Sequence, residues 1–206
     1  MIIGLTGQIG AGKSTAAEIL KTFGAFVINA DDIGRTVVEK SLPLRRNLVK
    51  AFGPSILDRK GNLNRRKLAT LAFATPEATA RLNALVHPPL IKLLESQIKA
   101  ATKKYPVVIV DAALLLQWPL YKKLNQIVLI AAPEKNRLKR MTDRGISLTD
   151  AKARQKVQPS ANAMRQAAHV VISNNGTTAD LAGKLVLYWN RYVLVRLART
   201  TKRKTR

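Results

Sequence analysis

The chain has 206 residues, no cysteine and a formal net charge of +24, from 36 Lys and Arg against 12 Asp and Glu. That length suits one α/β domain able to bury its own core. The missing cysteines exclude disulfides and thiolate metal sites, and no apolar run approaches the roughly 20 residues that cross a bilayer.

The charge favours polyanionic partners, whether nucleotides, multiply phosphorylated coenzymes, RNA or acidic lipid; a general basic bias of composition would leave the same balance. No basic leader or cleavage site accompanies Met1-Ile2-Ile3, so the expected compartment is the cytoplasm.

The first apolar run, Ile2–Leu5, predicts a buried parallel strand. It leads into Gly7-Gln8-Ile9-Gly10-Ala11-Gly12-Lys13-Ser14, which matches G-x-x-x-x-G-K-[ST] at every fixed position, and then into a helical stretch, Ser14–Phe23. Glycines at 7, 10 and 12 let backbone N–H groups converge on a phosphate chain without a Cβ in the way. The helix that begins there turns its unpaired amides and dipole toward the same anion. Lys13 supplies a full charge for the β- and γ-phosphates, Ser14 a hydroxyl for Mg²⁺, and Ala11 and Thr15 further contacts, so a bound nucleoside triphosphate is predicted.

A second run, Phe26–Ile28, ends in Asn29-Ala30-Asp31-Asp32-Ile33-Gly34-Arg35. This puts carboxylates at the carboxyl end of a strand. There Asp31 either takes the proton of an attacking hydroxyl or, like Asp32, caps the next helix. A helix over Pro43–Phe52 follows a turn at Ser41. The stretch from about Gly61 to Lys104 is too long for one crossover and reads as a helical insertion, Arg65–Ala74 and Pro76–Lys104, with Pro76, Pro88 and Pro89 marking breaks.

The third run, Val107–Val110, is followed by Asp111, which either orients Mg²⁺ through water or caps the next element. Ile127–Ala131 is the fourth run, with a helix over Glu134–Arg144 behind it. The charged segment from about Arg140 to Ser160 is predicted to be a lid. Val170–Ile172 is the fifth run, and a helical stretch over Thr178–Thr200 passes into a basic tail at about 196–206. Strands alternating with helices predict a five-stranded parallel sheet of the P-loop NTPase/kinase class within one domain, with ligands at the carboxyl ends of the strands.

Several blocks, in order from Met1 to about Trp189, resemble the dephospho-coenzyme A kinase family. They are Ile3 through Thr15, Ala30 through Arg35, Phe52-Gly53, Gly61, Leu63, Arg65 through Phe73, Leu82-Asn83, His87-Pro88, Leu114-Leu115, Arg140 and Arg144, Gln158, and Ile172 with Asn174-Asn175-Gly176. The resemblance implies ATP as co-substrate, Mg²⁺ as cofactor and dephospho-coenzyme A as acceptor. In that reading Asp31 is the base, Lys13 and Arg140 the groups on the transferring phosphoryl, and Arg144, Asn175 and Gly176 further ATP contacts. Arg35, Arg65, Asn83 and His87 would hold the acceptor. Simpler readings stand beside these: Arg140 and Arg144 as a solvated helix face, His87 as a helix end, Asn174-Asn175-Gly176 as a turn. Trp118 and Trp189 read as packing.

The chain departs from the family pattern at Asn29 and His169, where an aspartate is usual. Ala113 and Gln117 replace a proline and a glutamate, and Ala161 stands near a usual basic residue. With the high charge, these departures leave an alternative function: a kinase fold recruited to bind RNA or the ribosome, with the nucleotide site vestigial or regulatory.

Overall fold

Ile3 and Leu5 are fully buried, and so is Thr6. Burial of alternate and adjacent positions puts the first strand, β1 (Ile2–Thr6), at the middle of a sheet rather than its edge. In the computed structural model it pairs in parallel with β3 (Val108–Asp111) on one side and β4 (Gln126–Ala131) on the other. Beyond β4 lies β5 (Val170–Ser173), also parallel. With β2 (Phe26–Asn29) outside β3, the sheet order is β2-β3-β1-β4-β5. All five apolar runs are strands, each within two residues of the range their pattern predicts. The structure describes residues 1–149, 151, 155 and 158–204, with side chains to residue 199.

Two compact units divide the chain, one of Met1–Ile28 with Ile98–Arg206, the other Asn29–Gln97. In the first, α1 (Lys13–Thr22) buries Ala16, Ala17 and Leu20 against the sheet. The same core receives Leu181, Leu185 and Tyr188 of a helix over Thr178–Tyr188, and Trp189 and Val193 beyond it. Each fully buried leucine of this kind contributes about 2 kcal/mol. The Tyr188 hydroxyl donates to Gln126 Oε1 at 2.7 Å, and Trp189 packs on Phe23 with ring centroids 5.6 Å apart.

The second unit holds α2 (Ala30–Lys40), α3 (Leu42–Phe52), α4 (Arg65–Ala72) and most of α5 (Pro76–Thr102). Ile33, Val37, Leu44, Leu48, Leu68 and Ala72 form the buried faces of its shorter helices. A Cβ at Gly34 would sit 3.1 Å from Leu90 Cδ1, so the glycine lets α5 approach α2.

Three local expectations need correction. Pro88 and Pro89 do not break a helix, because α5 runs unbroken through both. Proline removes the donors to the Ala84 and Leu85 carbonyls, yet an apolar stripe at every fourth position crosses the gap, half-buried at Leu82 and Val86 and buried at Leu90, Leu94 and Ile98, and holds the helix together. The cap of α2 is neither Asp31 nor Asp32. It is Asn29, whose Oδ1 accepts from their amides at 2.9 and 3.3 Å. The single helix expected over Thr178–Thr200 is three pieces: α8 (Thr178–Tyr188), a π-helical segment (Trp189–Leu194) and α9 (Val195–Lys204).

The remaining helices of the first unit are α6 (Glu134–Thr142) and α7 (Ala161–Ala167), the latter capped by Ser160. Of the segment expected to form a lid, residues 150, 152–154, 156 and 157 lie outside the described residues. Among the described residues, no helix is long and apolar enough to cross a membrane.

Candidate active site at the phosphate loop

The loop between β1 and α1 is tightly wound. Ala11 N donates to Gln8 O at 3.0 Å, and Gly10 and Gly12 adopt φ of 79° and 95°. Left-handed backbone there suits glycine alone. Neighbouring elements demand the same residues. A Cβ at Gly7 would come 2.5 Å from Ile130 O, one at Gly10 2.5 Å from Arg137 O, and one at Gly12 would strike the Asn174 amide. The glycines therefore let β4, α6 and the end of β5 close against the loop.

Side chains from those elements fix the loop's outward groups. Asn174, buried just past β5, donates from Nδ2 to Ala11 O at 2.8 Å, and its own amide donates to Ala131 O. Arg140 of α6 donates to Gly10 O at 3.4 Å, Ala11 O at 3.3 Å and Asn174 O at 3.1 Å. Gln158 Oε1 accepts from Ile9 N at 2.8 Å. Arg140 is thus drawn onto the phosphate loop rather than lying on a solvated face. Arg144 sits past the end of α6 and is exposed.

One turn below Arg140's neighbour Met141, Arg137 is buried. It donates from Nε to Ala132 O at 3.2 Å and lacks a partner for one terminal nitrogen. Burial pulls its guanidinium below the usual arginine range, opposed by the nearby Glu134 carboxylate.

Lys13 Nζ pairs with Asp111 Oδ1, joining the first residue of α1 to the last of β3. The Asp111 side chain is 3% exposed and that of Lys13 14%, so the pair is shielded from solvent. Ser14 is exposed in the first turn of α1 and Thr15 half-buried. Asn175 and Gly176 are exposed between β5 and α8, where Asn136 Nδ2 donates to Asn175 O at 3.4 Å. Behind the loop, a cavity of about 40 Å³ is lined by Gln8, Ala11, Ala132, Ala161, Met164 and Arg165. The departure at Ala161 therefore borders the loop.

The Asn29–Gln97 unit carries the other candidates. Asp31 is exposed at the second position of α2. Arg35 pairs with Asp32 at 3.1 Å, and Arg65, first residue of α4, pairs with Glu39. Asn83 and His87 lie four residues apart on α5, on one face, and both are half-buried. His87 is inside the helix rather than at its end. Burial lowers its pKa, which favours the neutral imidazole near neutral pH.

Residues 1–180 match the family model for dephospho-CoA kinase. The chain belongs to the dephospho-CoA kinase family. It is 37% identical to a dephospho-CoA kinase of Corynebacterium jeikeium, over 91% of this chain and 97% of that one. Against the Thermobifida fusca kinase it is 35% identical, over 91% and 94%. Among solved structures, TT1252 from Thermus thermophilus aligns with a TM-score of 0.76 and 34% identity, covering 91% of this chain and 96% of that one. Dephospho-CoA kinase from Campylobacter jejuni aligns with a TM-score of 0.62 and 26% identity, covering 92% and 95%. An ATP-using phosphotransferase family and a P-loop kinase fold thus account for the parallel sheet and the glycine loop.

Asn174 and Gln158 stand in family-like blocks without a chemical role of their own, and Arg137 lies in no motif. Asn174 is the first residue after β5, a position from which a side chain reaches the loop. Gln158 carries no such mark. The Asn174→Ala protein is expected to be less stable by about 1–3 kcal/mol in urea denaturation, because a buried acceptor loses a donor, and to show a raised KM for ATP. Unchanged stability would mean that Arg140 alone satisfies the Ala11 carbonyl.

Proposed function

We propose that this kinase transfers the γ-phosphoryl group of ATP to the ribose 3′-hydroxyl of dephospho-coenzyme A, giving coenzyme A and ADP. The observation that carries the ATP half of this is the phosphate loop, its carbonyls held by Asn174 and Arg140 and its amides at the start of α1, and the acceptor is supported by the family match over residues 1–180. A loop so held keeps its donors in place before the anion arrives, so little reorganisation is needed on binding.

The triphosphate enters along Gly7–Thr15. Lys13 exchanges Asp111 for the β- and γ-phosphate oxygens, which carry more charge. Arg140 faces the transferring group from the loop's far side, and together these cations contribute several kcal/mol to the transition state. Arg144, Asn175 and Gly176 border the rest of the nucleotide. Asp31 accepts the proton of the attacking 3′-hydroxyl, and Arg35, Arg65, Asn83 and His87 hold the acceptor. For Arg35 and Arg65, that means exchanging Asp32 and Glu39 for substrate phosphate.

The donor set suits Mg²⁺. Among the described residues, no group of three or more His, Asp or Glu is placed to hold a metal, so no all-protein cage forms. The exposed Ser14 hydroxyl and the shielded Asp111 carboxylate would hold the ion, direct or through water, as the oxygen ligands that Mg²⁺ takes alongside phosphate oxygens. When bound, the ion neutralises charge developing between the β- and γ-phosphates.

Incubating the purified protein with Mg-ATP and dephospho-coenzyme A is expected to give coenzyme A, read by mass. Nucleotide hydrolysis without coenzyme A would overturn the acceptor assignment.

A further inference from the structure

The match to the family model ends at residue 180, and none of the site residues above lies beyond it. From Leu181 to Arg206 the sequence holds no Asp or Glu. One face of this segment is the core face already described. The wide turn of the π-helical segment keeps Trp189 and Val193 both inward, four residues apart. The other face is unusual for a protein surface: Leu187 is 70% exposed, Leu194 47%, Val195 45% and Val186 42%. Arg191, Tyr192, Arg196 and Arg199 stand exposed among them, with the Arg191 guanidinium 5.6 Å from the centre of the Tyr192 ring.

We propose that the outward face of Val186–Arg199 docks on an anionic lipid bilayer, lying in its plane. The charge and the apolar side chains decide the occupant together. An RNA would satisfy the arginines but offers its sugar-phosphate backbone nothing to bury Leu187, Leu194 and Val195 against. A second copy would cover the leucines while bringing together two chains of charge +24. An anionic bilayer takes both: headgroup phosphates meet the guanidinium groups, the apolar side chains reach the acyl boundary, and a tyrosine suits the interface between. The segment is not apolar enough to span, since no described helix is.

The test is sedimentation of the full chain with vesicles, either phosphatidylcholine alone or phosphatidylcholine mixed with phosphatidylglycerol. Binding to the mixed vesicles alone, weakening as salt rises, is expected. Leu187→Ser/Leu194→Ser and Arg191→Ala/Arg199→Ala are each expected to weaken that binding roughly tenfold or more. Kinase turnover without vesicles and the circular-dichroism melting curve should stay as in the parent protein. Equal binding to neutral vesicles, or full binding by the leucine variant, would overturn the proposal. So would a dimer in light scattering that the leucine variant loses, or binding to an RNA oligomer without any binding to vesicles.

Discussion

Replacing Lys13 with alanine is expected to lower kcat/KM by about three orders of magnitude or more, equivalent to roughly 4 kcal/mol of transition-state stabilisation. The side chain sits where the first turn of α1 opens onto the loop, and no other lysine shares that position. The substitution has a second consequence, because Lys13 is also the partner of Asp111, whose side chain is nearly inaccessible. Removing one member of a shielded pair leaves the other charge poorly compensated, so Lys13→Ala is also expected to lose stability. The double variant Lys13→Ala/Asp111→Asn separates the two effects. Asparagine keeps the shape and removes the charge, so urea denaturation should return toward the parent protein while single-turnover phosphoryl transfer stays slow. Recovery of turnover in the double variant would mean that Lys13 acts by neutralising Asp111 and not by meeting phosphate.

The parts of this molecule legible in its sequence are those fixed by short-range rules. The three inner strands, β3, β1 and β4, announce themselves as apolar runs because a central parallel strand has no solvent face to encode, and the edge strands β2 and β5 keep short apolar runs though each is partly exposed. The phosphate loop is legible because phosphate chemistry needs a fixed spacing of glycine, lysine and hydroxyl.

What escaped depends on partners distant in sequence. That Asn174 reaches Ala11 across 163 positions, and Gln158 reaches Ile9 across 149, follows from a fold that sets β4 beside β1 and β5 beside β4, not from either residue's neighbours. Pro88 and Pro89 carry a strong local signal for a break, overridden by an apolar stripe that is half-buried before them at Leu82 and Val86 and buried after them from Leu90. Two departures from the family pattern find local explanations of the same kind. Asn29 caps α2 as an aspartate would. His169 Nδ1 accepts from Ile127 N at 3.1 Å, so its imidazole supplies the acceptor that a carboxylate would offer there.

The Asp31→Asn protein is expected to lose about 10²- to 10⁴-fold in turnover, the range a general base contributes, with its melting unchanged. The capping geometry makes this a clean experiment. Asn29 satisfies the exposed amides of α2, so position 31 can lose its charge without uncapping the helix. Asn29→Ala gives the converse: loss of a cap worth about 1 kcal/mol, with a smaller effect on rate. Asp32 is the adjacent control. Its carboxylate pairs with Arg35 three residues on, both side chains being largely exposed, and such pairs contribute little. Asp32→Asn should therefore leave kcat near the parent value. If Asp32→Asn were the slow enzyme and Asp31→Asn the fast one, the proton acceptor would be the carboxylate one residue further along α2, and Arg35 would be part of its setting rather than a clamp on the acceptor.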